Sequence, residues 1–295
     1  MVRILPQQFY EDSLIKKVMA DGLCCIIHKR MDTPVFGKEG YASTHAMTLV
    51  LHGVLRIEND EGLLEEVRAG NLALMPKGLY TVSDIVPKGG HFEAMMFFFE
   101  PELIQQFLES IAFEGGKEKG VALGVISGNA DLQYFAHSLL RLYGSETPAH
   151  RQLTRMKLFE WLHLVHATFG GGDTFANMLS TLNNRERKGL REFMLANFHK
   201  PLSIEDYAYL TGRSASTFTR DFKAKFDGAS PKQWLIERRL EKARSLLEKT
   251  LAGNITDVAW ESGYTNIPHF IKEFSKKYGI TPKQLLIQNR HTALV

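Results

Sequence analysis

Only two of the 295 residues are cysteine, Cys24 and Cys25. Adjacent to each other inside an apolar run, they suit buried reduced thiols rather than a disulfide framework. Long hydrophobic runs are also missing. The longest, AMMFFF at 94–99, is far short of the roughly 20 residues that a membrane-spanning helix needs. The opening stretch MVRILPQQFYEDSLIKK has no apolar segment of signal-peptide length. The expectation is a cytoplasmic protein with no membrane partner. Catalytic signatures are equally scarce. There is no GxSxG elbow, and FGGGDT at 169–174 lacks the Lys-Ser/Thr ending of a phosphate-cradling loop, so it reads as a hinge. His45 is followed by Ala46 and Met47, His52 by Gly53, and no carboxylate is placed to complete a metal site. No cofactor, metal or catalytic residue is expected, which counts against an enzyme.

What the chain does have is an uneven charge. Its net charge of +3 divides at Arg185: residues 185–295 carry 20 Lys and Arg against 12 Asp and Glu, a net +8, and the rest carries 16 against 21, a net −5. A basic third joined to an acidic two-thirds suggests that the basic part faces a polyanion. The composition, 44% hydrophobic and 23% charged, is that of a globular protein with room for two domains.

The basic third is written twice. GASPKQWLI at 228–236 is nearly repeated as GITPKQLLI at 279–287. Ile204, Ala208 and Gly212 recur 51 positions later as Ile255, Ala259 and Gly263. Each copy opens on a helix-capping residue, Ser203 or Asn254, with Asp206 or Asp257 three positions on. SPKQ and TPKQ supply a hydroxyl cap, a proline at the first helical position and a glutamine that reaches back. Between these signals each copy has a short helix, a glycine that permits a sharp turn, and a second helix. Phe218, Phe222 and Phe226, or Phe270, Phe274 and Tyr278, lie at i, i+4 and i+8 along that second helix and form one buried stripe. A short helix, a turn and an amphipathic second helix make a helix-turn-helix. Two copies make a tandem reader of double-stranded DNA, with second helices at about 215–226 and 267–278.

At 100° per residue, the face opposite the first stripe carries Ser216, Thr217, Arg220, Lys223 and Ala224; opposite the second lie Pro268, His269, Lys272, Ser275 and Lys276. Arg220 and Lys272 occupy matching positions. Either can bind guanine O6 and N7, and Ser, Thr and His suit bases or phosphates. Residues 231–248 read as one connecting helix, roughly 27 Å long at 1.5 Å per residue. That approaches the roughly 34 Å between successive major grooves on one face of DNA.

Residues 187–286 resemble the AraC/XylS-type bacterial transcription regulators, most specifically in NITDVAWESGYTNIPHFIKEFSKKYGITPKQL. There Ile255, Ala259, Gly263, Tyr264, Thr265, Phe270, Phe274, Lys277, Tyr278, Gly279, Thr281 and Pro282 fall on the family signature. The resemblance implies two helix-turn-helix units joined by a linker helix, binding of promoter DNA, and activation through RNA polymerase. One departure is the step from Phe222 to Pro231, nine positions where Phe274 to Pro282 is eight. It implies a longer loop in FDGASP.

From about residue 23 to 100, runs of four to eight Val, Ile, Leu and Phe between Gly, Asn, Asp and Pro indicate an antiparallel β structure, closed or sandwiched. GNLALMPKGLYT is similar to the second motif of the cupin barrel, with Thr81 where metal-binding cupins have histidine. Helical periodicity follows in PELIQQFLESIAF, DLQYFAHSLLRLYG and HRQLTRMKLFEWLHLVHATF, the last apolar enough to serve a homodimer as well as its own barrel. The expected fold class is a multidomain α+β chain. It has a cupin-like β-barrel with flanking helices over 1–170 for regulation and dimerisation, a linker over 171–184, and an all-α tandem helix-turn-helix domain over 185–295. The expected function is sequence-specific regulation of transcription, switched by a small-molecule effector or, as in relatives that control type III secretion, by a protein. A non-specific architectural DNA-binding protein and a cupin-type enzyme are the alternatives.

Overall fold

The computed structural model describes residues 2–11, 15–115, 123–143, 148–182, 187–249 and 254–292. The chain forms two compact units, Val2–Asn184 and Arg185–Val295.

The first unit contains strands β1 (Arg3–Leu5), β2 (Ile15–Asp21), β3 (Cys24–Met31), β4 (Val35–Ala42), β5 (His45–His52), β6 (Val54–Asn59), β7 (Leu64–Arg68), β8 (Leu72–Met75), β9 (Gly78–Ile85), β10 (Phe92–Phe99) and β11 (Gly124–Ile126). It also contains helices α1 (Pro101–Ser110), α2 (Ala130–Leu142), α3 (Pro148–Thr168) and α4 (Asp173–Ser180). The strands divide between two sheets, of order β1-β4-β9-β6-β7 and β11-β8-β5-β10-β3-β2. The β1–β4 pair is parallel and the other pairs are antiparallel. The expected α+β class holds, with the β strands in two facing sheets rather than one continuous closed sheet.

Alternation along the strands sets which side faces which layer. In β6, Leu55 and Ile57 point inward while Arg56 and Glu58 point out. The apolar run in β10 has a different cause: this central strand is covered on both faces. Phe92, Ala94, Met96 and Phe98 join the core between the sheets, and Met95, Phe97 and Phe99 join a second core beneath the helices. Trp161 of α3 stacks on Phe97, with ring centroids 3.9 Å apart. The same alternation separates the two cysteines. Cys24 faces the helices and Cys25 the inter-sheet core, both fully buried. Burial pushes the Cys24 thiol up to about 11, so it stays protonated and inert. Arg155 of α3 donates to Asp21 at 2.9 Å and to Glu100, and Arg151 donates to Asp21 at 3.0 Å. Arg155, and after it Arg151, hold the Asp21 carboxyl below the usual carboxylate range.

The segment expected as a linker, 171–184, is not an extended connector where it is described. Gly170 and Gly171 take φ of 69° and 71° and turn the chain. It then forms α4, whose Phe175, Ala176 and Leu179 are buried in the helix-side core, followed by buried Leu182. Residues 183 and 184 lie outside the described residues. The apolar i, i+1, i+4 set in DTFANMLS is the physical reason: that face is worth more buried than exposed. Among the described residues no group of three His, Cys, Asp or Glu could hold a metal ion. His45 instead accepts the Lys77 N–H at 3.0 Å, and His52 stacks on His91. No helix among the described residues is long and apolar enough to cross a membrane.

The second unit is all helix: α5 (Leu190–Asn197), α6 (Ile204–Leu210), α7 (Ala215–Lys225), α8 (Pro231–Lys249), α9 (Ile255–Glu261), α10 (Ile267–Tyr278) and α11 (Pro282–Thr292). The long helix α8 belongs to two cores. Near its start Trp234 packs on Phe222 and Phe226, at 5.6 and 4.8 Å between centroids. Towards its end Leu240, Ala243 and Leu247 pack with Val258, Ala259, Phe270, Phe274, Leu285 and Leu286.

Phe175→Ala should destabilise the first unit by about 3–5 kcal/mol, the cost of deleting a fully buried Phe. Urea denaturation of the full chain measures it, and an unchanged midpoint would mean that α4 is not packed.

Candidate nucleic-acid interface

Each copy builds its second helix from local signals. Ser203 caps α6 reciprocally with Asp206: the Asp206 N–H donates to Ser203 Oγ at 3.1 Å and the Ser203 N–H donates to the Asp206 carboxylate at 3.2 Å. In α9 the cap Asn254 accepts instead from the Thr256 N–H at 3.0 Å, so the expected pairing with Asp257 is not used. Gly212 and Gly263 make the turns at φ of 67° and 98°. Immediately before them, Thr211 and Ser262 are fully buried and their hydroxyls donate back into α6 and α9, to Tyr207 O at 2.8 Å and Val258 O at 2.6 Å. These two also stand 51 positions apart. The same offset that picked out the glycines would have found them.

The second helices α7 and α10 start on caps Ser214 and Asn266, whose side chains accept from Thr217 N–H and His269 N–H. Phe218, Phe222, Phe270 and Phe274 are fully buried, Phe226 is buried, and Tyr278 is half-buried. The copies differ at two places that cancel. Gly212 precedes its cap by two residues and Gly263 by three; after the helix, Asp227 and Gly228 both take positive φ where the second copy uses Gly279 alone. The repeat therefore runs at 51, then 52 through α7 and α10, then 51 again. The extra residue between Phe222 and Pro231 is accommodated by this second left-handed residue. Asp tolerates that conformation better than most side chains.

On the faces opposite the stripes, Ser216, Arg220, Lys223, Ala224, Pro268, His269, Lys272 and Lys276 are exposed. Thr217 is half-buried, and its hydroxyl accepts from Ser214 Oγ at 3.0 Å. Ser275 is half-buried too, with its Oγ enclosed and unpartnered among the described residues. The Arg220 side chain is 77% exposed and lies 3.4 Å from Asp221. No ion pair engages Lys223, Lys272 or Lys276 among the described residues.

Several other cations of the basic third are structural. Arg213, 6% exposed, donates to Asp221 at 3.2 Å and to the Lys188 and Thr211 carbonyls at 3.1 and 2.6 Å. It is the main reason the Asp221 carboxyl is held below its ordinary range. Arg191 donates to the Lys225 carbonyl at the end of α7 and lies over Phe226. Arg244 and Lys277 pair with Glu248 and Glu241. Composition alone could not separate these cations from the exposed ones on α7 and α10.

Residues 207–288 match the model of a helix-turn-helix domain family, and residues 45–173 match that of the ExsA N-terminal regulatory domain. The thermoregulatory protein LcrF of Yersinia pestis is 26% identical over 270 residues, 88% of this chain and 94% of LcrF. The chain is similar to the AraC/XylS-type transcription regulators in both units. The virulence regulon transcriptional activator VirF of Yersinia enterocolitica is 31% identical over 132 residues, 45% of this chain and 48% of its own. A crystal structure of an apo variant of ToxT from Vibrio cholerae aligns with 91% of this chain and 98% of its own, at 8% identity and a TM-score of 0.43. The chain carries the helix-turn-helix domain of a DNA-binding regulator of transcription, and the relatives LcrF and VirF are regulators.

Proposed function

We propose that α7 and α10 enter two successive major grooves of promoter DNA and that the chain activates transcription there through RNA polymerase. The observation that carries this reading is α8. Its 19 residues span about 28 Å. Its two ends are built into separate cores, so it acts as a rigid spacer between the readers. Arg220 and Lys272 read base edges; Ser216, Lys223, Pro268, His269 and Lys276 flank them on bases and phosphates. Thr217 and Ser275, with engaged or enclosed hydroxyls, support the helices' approach. The names of VirF, an activator, and LcrF, a thermoregulatory protein, are consistent with regulated activation.

The switch is assigned to the first unit. A cavity of about 210 Å³ lies between the sheets, walled by Phe9, Leu55, Ile57, Met75, Met96 and Phe98 among others. A pre-formed apolar cavity favours a small effector over a protein antagonist. Such an effector acts by binding the DNA-competent and DNA-incompetent states with different affinity. On the helical side, Tyr134, Leu142 and Met156 are 74%, 65% and 66% exposed. Large apolar side chains left out of the core on α2 and α3 suit the homodimer expected from the sequence.

Arg220→Ala and Lys272→Ala should each lose about 1–3 kcal/mol of discrimination, at different halves of the operator. Competition gel shifts with single-base operator variants measure this. Equal weakening on every sequence would make both residues phosphate contacts and the protein a non-specific binder. In a thermal-shift panel, apolar compounds should raise the melting temperature by roughly 5–10 °C at a hundredfold excess over Kd. A response confined to sugars or nucleotides would contradict the assignment of the cavity. Light scattering should give a dimer for the full chain and a monomer for residues 185–295. Monomers in both cases would remove the homodimer.

A further inference from the structure

Three elements converge on the loop that follows α5. The guanidinium of Arg239, midway along α8, donates through Nε to the Phe198 carbonyl at 2.8 Å and through Nη2 to the Lys200 carbonyl at 2.7 Å. Tyr207 of α6 is fully buried, and its hydroxyl lies 3.0 Å from both the Asn197 and Lys200 carbonyl oxygens and 3.4 Å from Arg239 Nη2. The third element comes from the other copy. A Cβ placed on Gly263, in the turn between α9 and α10, would stand 2.6 Å from the His199 carbonyl oxygen and 2.9 Å from Arg239 Nε. The turn that launches the second reader therefore rests directly on the loop that supports the first.

We infer that Arg239 is the positioning residue that sets the distance and angle between α7 and α10, and so fixes which spacing of the two DNA elements this chain accepts. The inference rests on the reading of α7 and α10 as groove readers. A guanidinium suits the task because its rigid planar fork offers two separate nitrogens to the two carbonyls in a fixed geometry, which the single rotatable ammonium of a lysine does not. Phe198 caps the end of α5, where the helix dipole favours a cation. Gly263 suits it because only a residue without Cβ permits so close an approach, and because its φ of 98° is one that other residues rarely adopt. Arg239 itself does not have to touch DNA. Its effect is on register, and register is the property by which two linked readers discriminate sites that contain the same two elements.

The test uses the full chain and duplexes carrying the two elements selected by the wild-type protein, with the separation changed by −1, +1 and +2 base pairs, and duplexes carrying one element alone. Wild type should prefer its own separation by at least tenfold. Arg239→Gln should keep its helix content and bind a single element within about twofold of wild type, while its preference among separations falls below about threefold. Arg239→Lys, which keeps the charge and one donor, should lie between the two and carries the test if Arg239→Gln does not fold. An unchanged separation profile in the folded variant would overturn the inference, as would a parallel loss of single-element and full-site binding. A wrong reading of the readers fails differently: Arg220→Ala and Lys272→Ala would then leave single-element preference intact.

Discussion

Two carbonyl groups, those of Phe198 and Lys200, are held by one guanidinium, and the second unit is organised around that fact. Lys200 lies in the loop beyond α5, its oxygen also accepting from the Leu202 N–H at 2.8 Å, while Phe198 caps the end of α5, where backbone oxygens need a partner outside the helix. Arg239 supplies it from the middle of α8. On one side Tyr207 completes the arrangement within the first copy, and on the other the bare Gly263 lets the second copy close over it. Without this junction α8 would still join two small cores, but the polar contact that links the loop after α5 to the middle of α8 would be lost. A tandem reader needs a fixed orientation, because one flexible joint would return two independent, weak DNA contacts.

Each copy spends its residues in the same way. Aromatic side chains at i, i+4 and i+8 bury one face of the second helix, a hydroxyl or amide caps its start, and a left-handed residue ends it. The opposite face carries the exposed Arg220, Lys223, Lys272 and Lys276. Cations follow the same division. Arg191, Arg213, Arg239, Arg244 and Lys277 donate to a carboxylate or a carbonyl inside the unit, while Lys223, Lys272 and Lys276 are unengaged among the described residues. In the first unit the inter-sheet space is largely apolar and incompletely filled. The helix-side core, anchored by Trp161 on Phe97, is dense with aromatics.

Much of this was legible in the sequence because it is local. The repeat, the caps of α6 and α11, the glycine turns and the phenylalanine stripes each depend on residues within about one or two helical turns, and all appear in the structure. What was not legible depends on distant partners. Arg239 resembled any surface arginine of a connecting helix, since its acceptors are backbone oxygens 39 and 41 positions away. Helix α4 was hidden because three glycines precede it and its eight residues are too few to show strong periodicity; its burial comes from α1 and α3. The cavity draws its walls from strands scattered between Arg3 and Phe98, so no contiguous motif announces it. Helix geometry placed Ser275 on the DNA-facing side, yet its hydroxyl is enclosed, because the 100° rule locates a Cα and not where a short side chain ends.

The most direct measurement of the central claim is selection and sequencing of random duplex DNA by the purified full chain at near-physiological salt. A rigid tandem reader should enrich two short elements at one fixed separation of about one helical turn. Enrichment of a single element, of two elements at freely varying separation, or of none with undiminished binding to every duplex would contradict it.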